Sequence, residues 1–148
     1  FENCDILFLL RPPQLSDVKK YITPLLTIAK ETGVQHIVFL SVQGVEKSSI
    51  IPHHTIEKLI QQSAIHYTFI RPAYFMQNFT TTLLEDLRSK KLIFLPAGNA
   101  KFTIIDVEDI GKVAAKVLLN PSLFQNKAFD LTNEELLSFE EMAEQLTL

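Results

Sequence analysis

With 148 residues, 47% hydrophobic and 21% charged, the chain has apolar material for one globular domain or a large part of one. A net charge of −3 with scattered Lys and Arg excludes the basic stripe of a nucleic-acid groove. One cysteine, Cys4, excludes an internal disulfide and points to a reducing, cytoplasmic setting, and the apolar runs are too short for a bilayer span or a signal peptide.

Residues 4–10, CDILFLL, form a short continuous apolar run that suits a strand covered on both faces of a parallel sheet. The chain enters this strand with no initiator Met, and it stops inside an amphipathic segment at 138–148; both ends predict a piece of a longer chain. Residues 16–32 carry Val18, Ile22, Leu25 and Ala29 at helical spacing. Pro24 either kinks this helix or marks its true start, with Thr23 as N-cap. Gly33 has the character of the residue after a helix C-cap, followed by the apolar Val34. A second strand, HIVFL at 36–40, ends at Ser41, and a loop leads to a helix over 53–63 with Ile56, Leu59 and Ile60 inward.

A third strand covers 66–71. Three strands separated by two helices dictate parallel pairing with right-handed crossovers. The spacing then predicts a helix over 75–90, a strand over 92–95, a turn at 96–99 and an extended segment over 102–105. Asp106 caps a helix that runs to Leu119 and is stopped by Asn120-Pro121. Residues 129–131 are extended, and Ser138-x-x-Glu141 reads as a capping box.

The segment 66–79, HYTFIRPAYFMQNF, is the most telling. A strand that ends in Arg71-Pro72 and continues into polar-tipped aromatics belongs at the mouth of a parallel α/β sheet, where open α/β folds bind ligands. Together with DILFLLRPP at 5–13, AKETGVQHIVFLS at 29–41, HHTIEKLI at 53–60 and LPAGNAKFTIIDVEDIGKVAAKVL at 95–118, it resembles the NmrA-like branch of the atypical short-chain dehydrogenase/reductase superfamily.

The resemblance implies an α/β fold: the later strands of a doubly wound parallel Rossmann sheet, plus a small C-terminal α/β substrate region. Residues 1–72 would be the second half of an NAD(P)-binding domain, and residues 73–148 a helix-rich substrate region on the same core. The cofactor implied is NAD(P). Its usual glycine-rich phosphate loop is absent, because Gly33, Gly44, Gly98 and Gly111 are unclustered. The loop would lie in an N-terminal half upstream.

By the same resemblance, Arg11, Pro12, Ser41, Lys58, Pro72, Tyr74 and Phe75 are candidate cofactor contacts, and Tyr74, Phe75 and Asn78 candidate substrate contacts. His54 and Lys58, four apart on one helix face, are candidate catalytic residues. His54 occupies the place of the superfamily's Tyr in Tyr-x-x-x-Lys; a His shuttles protons near neutral pH but does not reproduce phenolate chemistry. Each has a plainer alternative: Arg11 solvated, Ser41 a loop-entry serine, His53 and His54 polar first-turn residues, Lys58 a surface charge. Asp106 and Asp109 are most simply an N-cap and N3 pair. No metal is expected, since adjacent helical histidines diverge by about 100° and no further ligand spacing supports them.

Three functions remain open: a reductase of small flat carbonyl or quinone compounds; a non-catalytic NAD(P) redox sensor that regulates a protein partner; and a fragment inactive without its N-terminal half. Nucleic acid and membrane are not expected partners. A small molecule or nucleotide is, and so is a homodimer through the sheet edge that the strand at 4–10 would expose.

Overall fold

A computed structural model describes residues 1–15 and 17–147. In chain order its main elements are β1 (Ile6–Leu10), α1 (Val18–Glu31), β2 (His36–Leu40), α2 (Pro52–Gln62), β3 (His66–Pro72), β4 (Tyr74–Phe75), α3 (Leu84–Lys90), β5 (Ile104–Ile105), α4 (Val107–Leu119), β6 (Lys127–Leu131) and α5 (Phe139–Leu146). The chain gathers into two compact units. One is Phe1–Arg71 with Lys112–Asp130; the other is Pro72–Gly111 with the chain from Leu131 onward.

The first unit carries a parallel sheet. Ile6 pairs with His36 and His36 with His66, so β1, β2 and β3 run side by side in one direction. β6 follows beyond β3, giving the order β1-β2-β3-β6. The Asn126 N–H donates to the Tyr67 carbonyl and the Ala73 N–H to the Leu131 carbonyl; the two strands therefore advance together. This is the α/β architecture expected from the alternation of apolar runs and amphipathic helices.

Both α1 and α2 cover one face of this sheet. Val18, Ile22, Leu26 and Ala29 of α1, with Ile56 and Ile60 of α2, pack on Leu9, Ile37, Phe39 and Phe69. Neighbouring residues on a strand point to opposite faces, and on β1 Phe8 (41% exposed) and Leu10 (59%) remain in solvent. The expectation that this strand is covered on both faces is therefore not met, since β1 is the last strand of the sheet and both crossover helices pack on its Leu9 side.

Asp17 caps α1, accepting from the Lys20 N–H at 3.0 Å, so Thr23 is not its start. Pro24 lies inside a continuous helix on the exposed side, where the carbonyl deprived of its amide partner is open to solvation. The C-terminus follows expectation. Gly33, at φ +88°, donates to the Lys30 carbonyl while Val34 donates to the Ala29 carbonyl, which is the Schellman arrangement.

A buried chain of hydrogen bonds ties β2 to β3. Thr68 Oγ1 donates to the Phe124 carbonyl at 2.9 Å, so its remaining contact, 2.8 Å from His36 Nε2, is one in which the imidazole donates. His36 Nδ1 is then an unprotonated, buried atom with no partner. Burial, and secondarily the charge of His66, pull the His36 pKa below its ordinary 6.5.

In the second unit the structure departs from two expectations. The helix predicted over 75–90 is only α3; before it, Tyr74 and Phe75 pair in parallel with Ile104 and Ile105, and Met76–Phe79 form a 3₁₀ turn. The strand predicted over 92–95 does not form. Lys91 ends α3 in a left-handed conformation, and Leu92 and Phe94 then stand in solvent (Phe94 83% exposed), with neither a pairing strand nor a core. The local helix caps do follow expectation. Ser138 and Glu141 form a reciprocal capping box on α5, and Glu141 also pairs with Lys101. The Glu141 pKa is held low, first by that ammonium and then by the Ser138 N–H.

Candidate functional site

The carboxyl ends of β1, β2 and β3 bring Arg11, Ser41 and Arg71 to the edge where a parallel sheet presents its loops. Arg11 is turned onto its own loop. Its Nη2 donates to the carbonyls of Leu15 at 2.7 Å and Pro13 at 3.1 Å, and its Nε also reaches Leu15. Together with Pro12 and Pro13 this stiffens the segment after β1 and concentrates positive charge there.

Arg71 acts as a strut. Its Nε and Nη2 form a bidentate fork on Glu57 at 3.0 and 2.6 Å, and Nη1 reaches Glu46 at 3.3 Å. Glu57 is only 6% exposed. The hydrogen bond that Arg71 donates to Glu57 is the main cause that raises the Arg71 pKa. The middle of α2 is thereby fixed to the end of β3.

The two adjacent histidines of α2 are distinct. The His54 Nδ1 lies 3.0 Å from the Val45 carbonyl, which only accepts, so His54 donates there. Lys58, one turn on, is exposed. His53 faces inward instead: its ring stacks on Phe39 with centroids 5.8 Å apart, and its Nδ1 is buried without a partner. Burial, then the Arg11 charge, lower its pKa, against an upward pull from Glu57. Glu57 escaped the sequence reading and His53 was read only as a polar first-turn residue, although the signal for their inward placement was available. They share the helical phase of Ile56 and Ile60, whereas His54 and Lys58 do not.

Ser41 closes β2. Its N–H donates to the Ile70 carbonyl at 2.8 Å, while its hydroxyl is buried with no partner, the residue being 2% exposed. Ser41 and His53 are thus two unsatisfied groups beside saturated ones.

The second unit holds Pro72, Tyr74, Phe75 and Asn78. Tyr74 hydrogen-bonds Asn78, and burial raises its phenol pKa against that bond. Its ring meets Phe102, Phe139 and Phe79 edge-on, at 5.6, 5.7 and 6.2 Å. Phe75 is half-buried in β4. Gln77, which sequence reasoning passed over, clamps the start of α4: its Nε2 donates to Asp106 Oδ1 at 3.0 Å and its Oε1 accepts from the Val107 N–H. Asp106 also accepts from the Glu108 N–H, which confirms it as the cap.

The sequence pattern of the NmrA-like family matches residues 1–146. The chain belongs to the NmrA-like family. Among curated relatives, the agroclavine dehydrogenase of Claviceps fusiformis is 32% identical over 149 residues, covering 99% of this chain and 51% of that protein. The NAD(P)H azoreductase of Xenophilus azovorans is 30% identical, over 91% of this chain and 48% of that one. Among solved structures, the triphenylmethane reductase of Citrobacter sp., complexed with NADP(H), matches with a TM-score of 0.80 at 25% identity, over 99% of this chain and 53% of that chain. This NmrA-like chain therefore spans about half the length of the curated relatives it matches. Among the described residues, no helix is long and apolar enough to cross a membrane.

Proposed function

We propose that this chain supplies the substrate-side portion of a cytoplasmic NAD(P)-dependent reductase that acts on small, flat carbonyl or quinone compounds. The observation that carries this reading is the convergence of Arg11, Ser41 and the Glu57–Arg71 strut at the carboxyl ends of three parallel strands in an NmrA-like chain. Relatives named as an NAD(P)H azoreductase and a triphenylmethane reductase support the flat, conjugated substrate class. In this reading Arg11, Pro12, Ser41 and Lys58 contact the cofactor. Pro72, Tyr74 and Phe75 contribute further cofactor contacts, and Tyr74, Phe75 and Asn78 meet the substrate. Lys58 and His54 serve the reacting end.

The residues of this chain fit only part of the dinucleotide. The turn after β1 is Arg11-Pro12-Pro13, and no glycines cluster to let backbone N–H groups approach a pyrophosphate. In the complete protein, oxidation of NAD(P)H with a panel of quinones is expected, and Lys58→Ala should lower turnover. The 148-residue chain alone should show no saturable NADPH binding. Absence of turnover across the panel, with nucleotide binding intact, would replace the reductase by a nucleotide sensor. One observation favours that second reading: His54, in the place of a catalytic phenol, already spends its Nδ1 on the Val45 carbonyl.

A further inference from the structure

The backbone pairing of β4 with β5 stops at Phe75 and Ile105, but the connection between the two segments does not. Gln77 continues it with its side chain. The amide Nε2 donates to Asp106 Oδ1 at 3.0 Å, and Oε1 accepts from the Val107 N–H at 3.1 Å. An ionised carboxylate only accepts and a backbone N–H only donates, so these partners call for an amide, with one end of each kind. Asp106 Oδ1 also accepts from the Glu108 N–H at 2.8 Å, so the clamp closes on the first turn of α4 and satisfies two of its orphan amides. On its other side Gln77 closes its own turn, its carbonyl accepting from the Thr80 N–H and from the Thr81 hydroxyl.

Burial does little to hold this turn. Ala73 and Leu83 are buried, but every residue from 74 to 82 is half-buried or exposed, and the 3₁₀ turn Met76–Phe79 contains no buried residue. A short turn with so little buried surface depends on its polar ties. Asn78, next to Gln77, shares a side-chain hydrogen bond with the Tyr74 phenol, so a shift of the turn disturbs both groups.

We propose that Gln77 is a positioning residue: its amide clamp on Asp106 and Val107 sets where Tyr74 and Asn78 stand to receive a small, conjugated substrate. Gln77 does not itself touch the substrate. The role rests on the reductase reading, in which Tyr74, Phe75 and Asn78 meet the substrate. A residue that merely capped α4 would behave otherwise. A carboxylate near a helix N-terminus is favoured, so capping alone predicts that Gln77→Glu is tolerated. The clamp predicts harm, because two carboxylates would then face each other across the Asp106 contact. Adding Asp106→Asn supplies a donor again, with amide and carboxylate exchanged between the two positions, and its carbonyl oxygen remains available to the Glu108 N–H.

The test uses the complete protein, with NAD(P)H and menadione for turnover and with tyrosine labelled by carbon-13 at Cζ for the geometry. Gln77→Met and Gln77→Glu should each raise the KM for menadione about tenfold while kcat changes less than about twofold, the pattern of lost uniform binding. The Tyr74 Cζ signal, which reads the hydrogen bond of the phenol, should move in both. Gln77→Glu combined with Asp106→Asn should return KM and the Tyr74 signal close to wild type, and circular dichroism melts follow the folding of each variant. An unchanged KM or an unmoved Tyr74 signal in folded Gln77→Met would overturn the proposal. So would a Gln77→Glu protein that matches wild type, a combined variant no better than Gln77→Glu alone, failure of all three variants to fold, or a KM that rises only in step with loss of folded protein. The two claims separate cleanly. A moved and rescued Tyr74 signal without NAD(P)H turnover removes the reductase and leaves the clamp that positions Tyr74 and Asn78; turnover whose KM ignores every Gln77 substitution removes the positioning role and leaves the reductase.

Discussion

Glu57 sits on the inner side of α2 and meets the Arg71 fork that ends β3. Removing one member of such a pair leaves a poorly hydrated charge, so Glu57→Ala should lower unfolding free energy by about 3 kcal/mol in urea titrations. The paired replacement of Glu57 and Arg71 by Met should cost less, because it leaves no orphan charge. His36 carries a second residue-scale prediction. The groups facing it are Thr68 and His66 on β3, and it has no acceptor at Nδ1, so the fold favours the neutral ring. Below the ordinary value of 6.5 the unfolded chain binds more protons than the folded one. Stability should therefore be full above that value and fall as pH drops through it towards the lower folded pKa. His53 should contribute in the same direction. Urea midpoints at about pH 7.5 and about pH 5.5 check this; His36→Gln, which keeps the donor to Thr68 but does not titrate, should flatten the dependence.

Among the elements, local rules carried the reading where local chemistry decides. The Ser138–Glu141 box, the Asp106 cap and the Gly33 terminus each depend on residues within one turn, and each was legible in the sequence. Gly33→Ala should cost about 1 kcal/mol, because φ +88° is strained for a side chain even though nothing lies within 4 Å of an added Cβ. A thermal melt against wild type measures this. Where distant partners decide, the sequence was silent. Phe75 opens the helix that the spacing predicts, yet pairing of Tyr74 and Phe75 with Ile104 and Ile105 makes them a strand. The bidentate fork between Arg71 and Glu57, 14 residues apart, has no sequence signature. The distinction between His53 and His54 was legible in principle, through the phase that Ile56 and Ile60 set, since both inward positions are apolar and buried.

On the scale of the molecule, the sheet ends at β1, whose outer edge carries no paired strand among the described residues, and Phe8 and Leu10 are exposed beside it. An apolar edge of this kind templates pairing with another chain. The protein should show a concentration-dependent mass in sedimentation, and Leu10→Lys should return it towards the monomer. A strictly monomeric species at high concentration would oppose this.

The division into two compact units has a further consequence, for the order in which the chain matures. The chain passes from one unit to the other at Arg71–Pro72, returns within α4 at Gly111–Lys112 and departs again within β6 at Asp130–Leu131. A nascent chain that has emerged only to Arg71 lacks the segment Lys112–Asp130 that completes its own first unit. That unit cannot close until the segment through Asp130 has left the ribosome. A stop codon anywhere between these crossings would leave both units unfinished, so the two units should mature together and not one after the other.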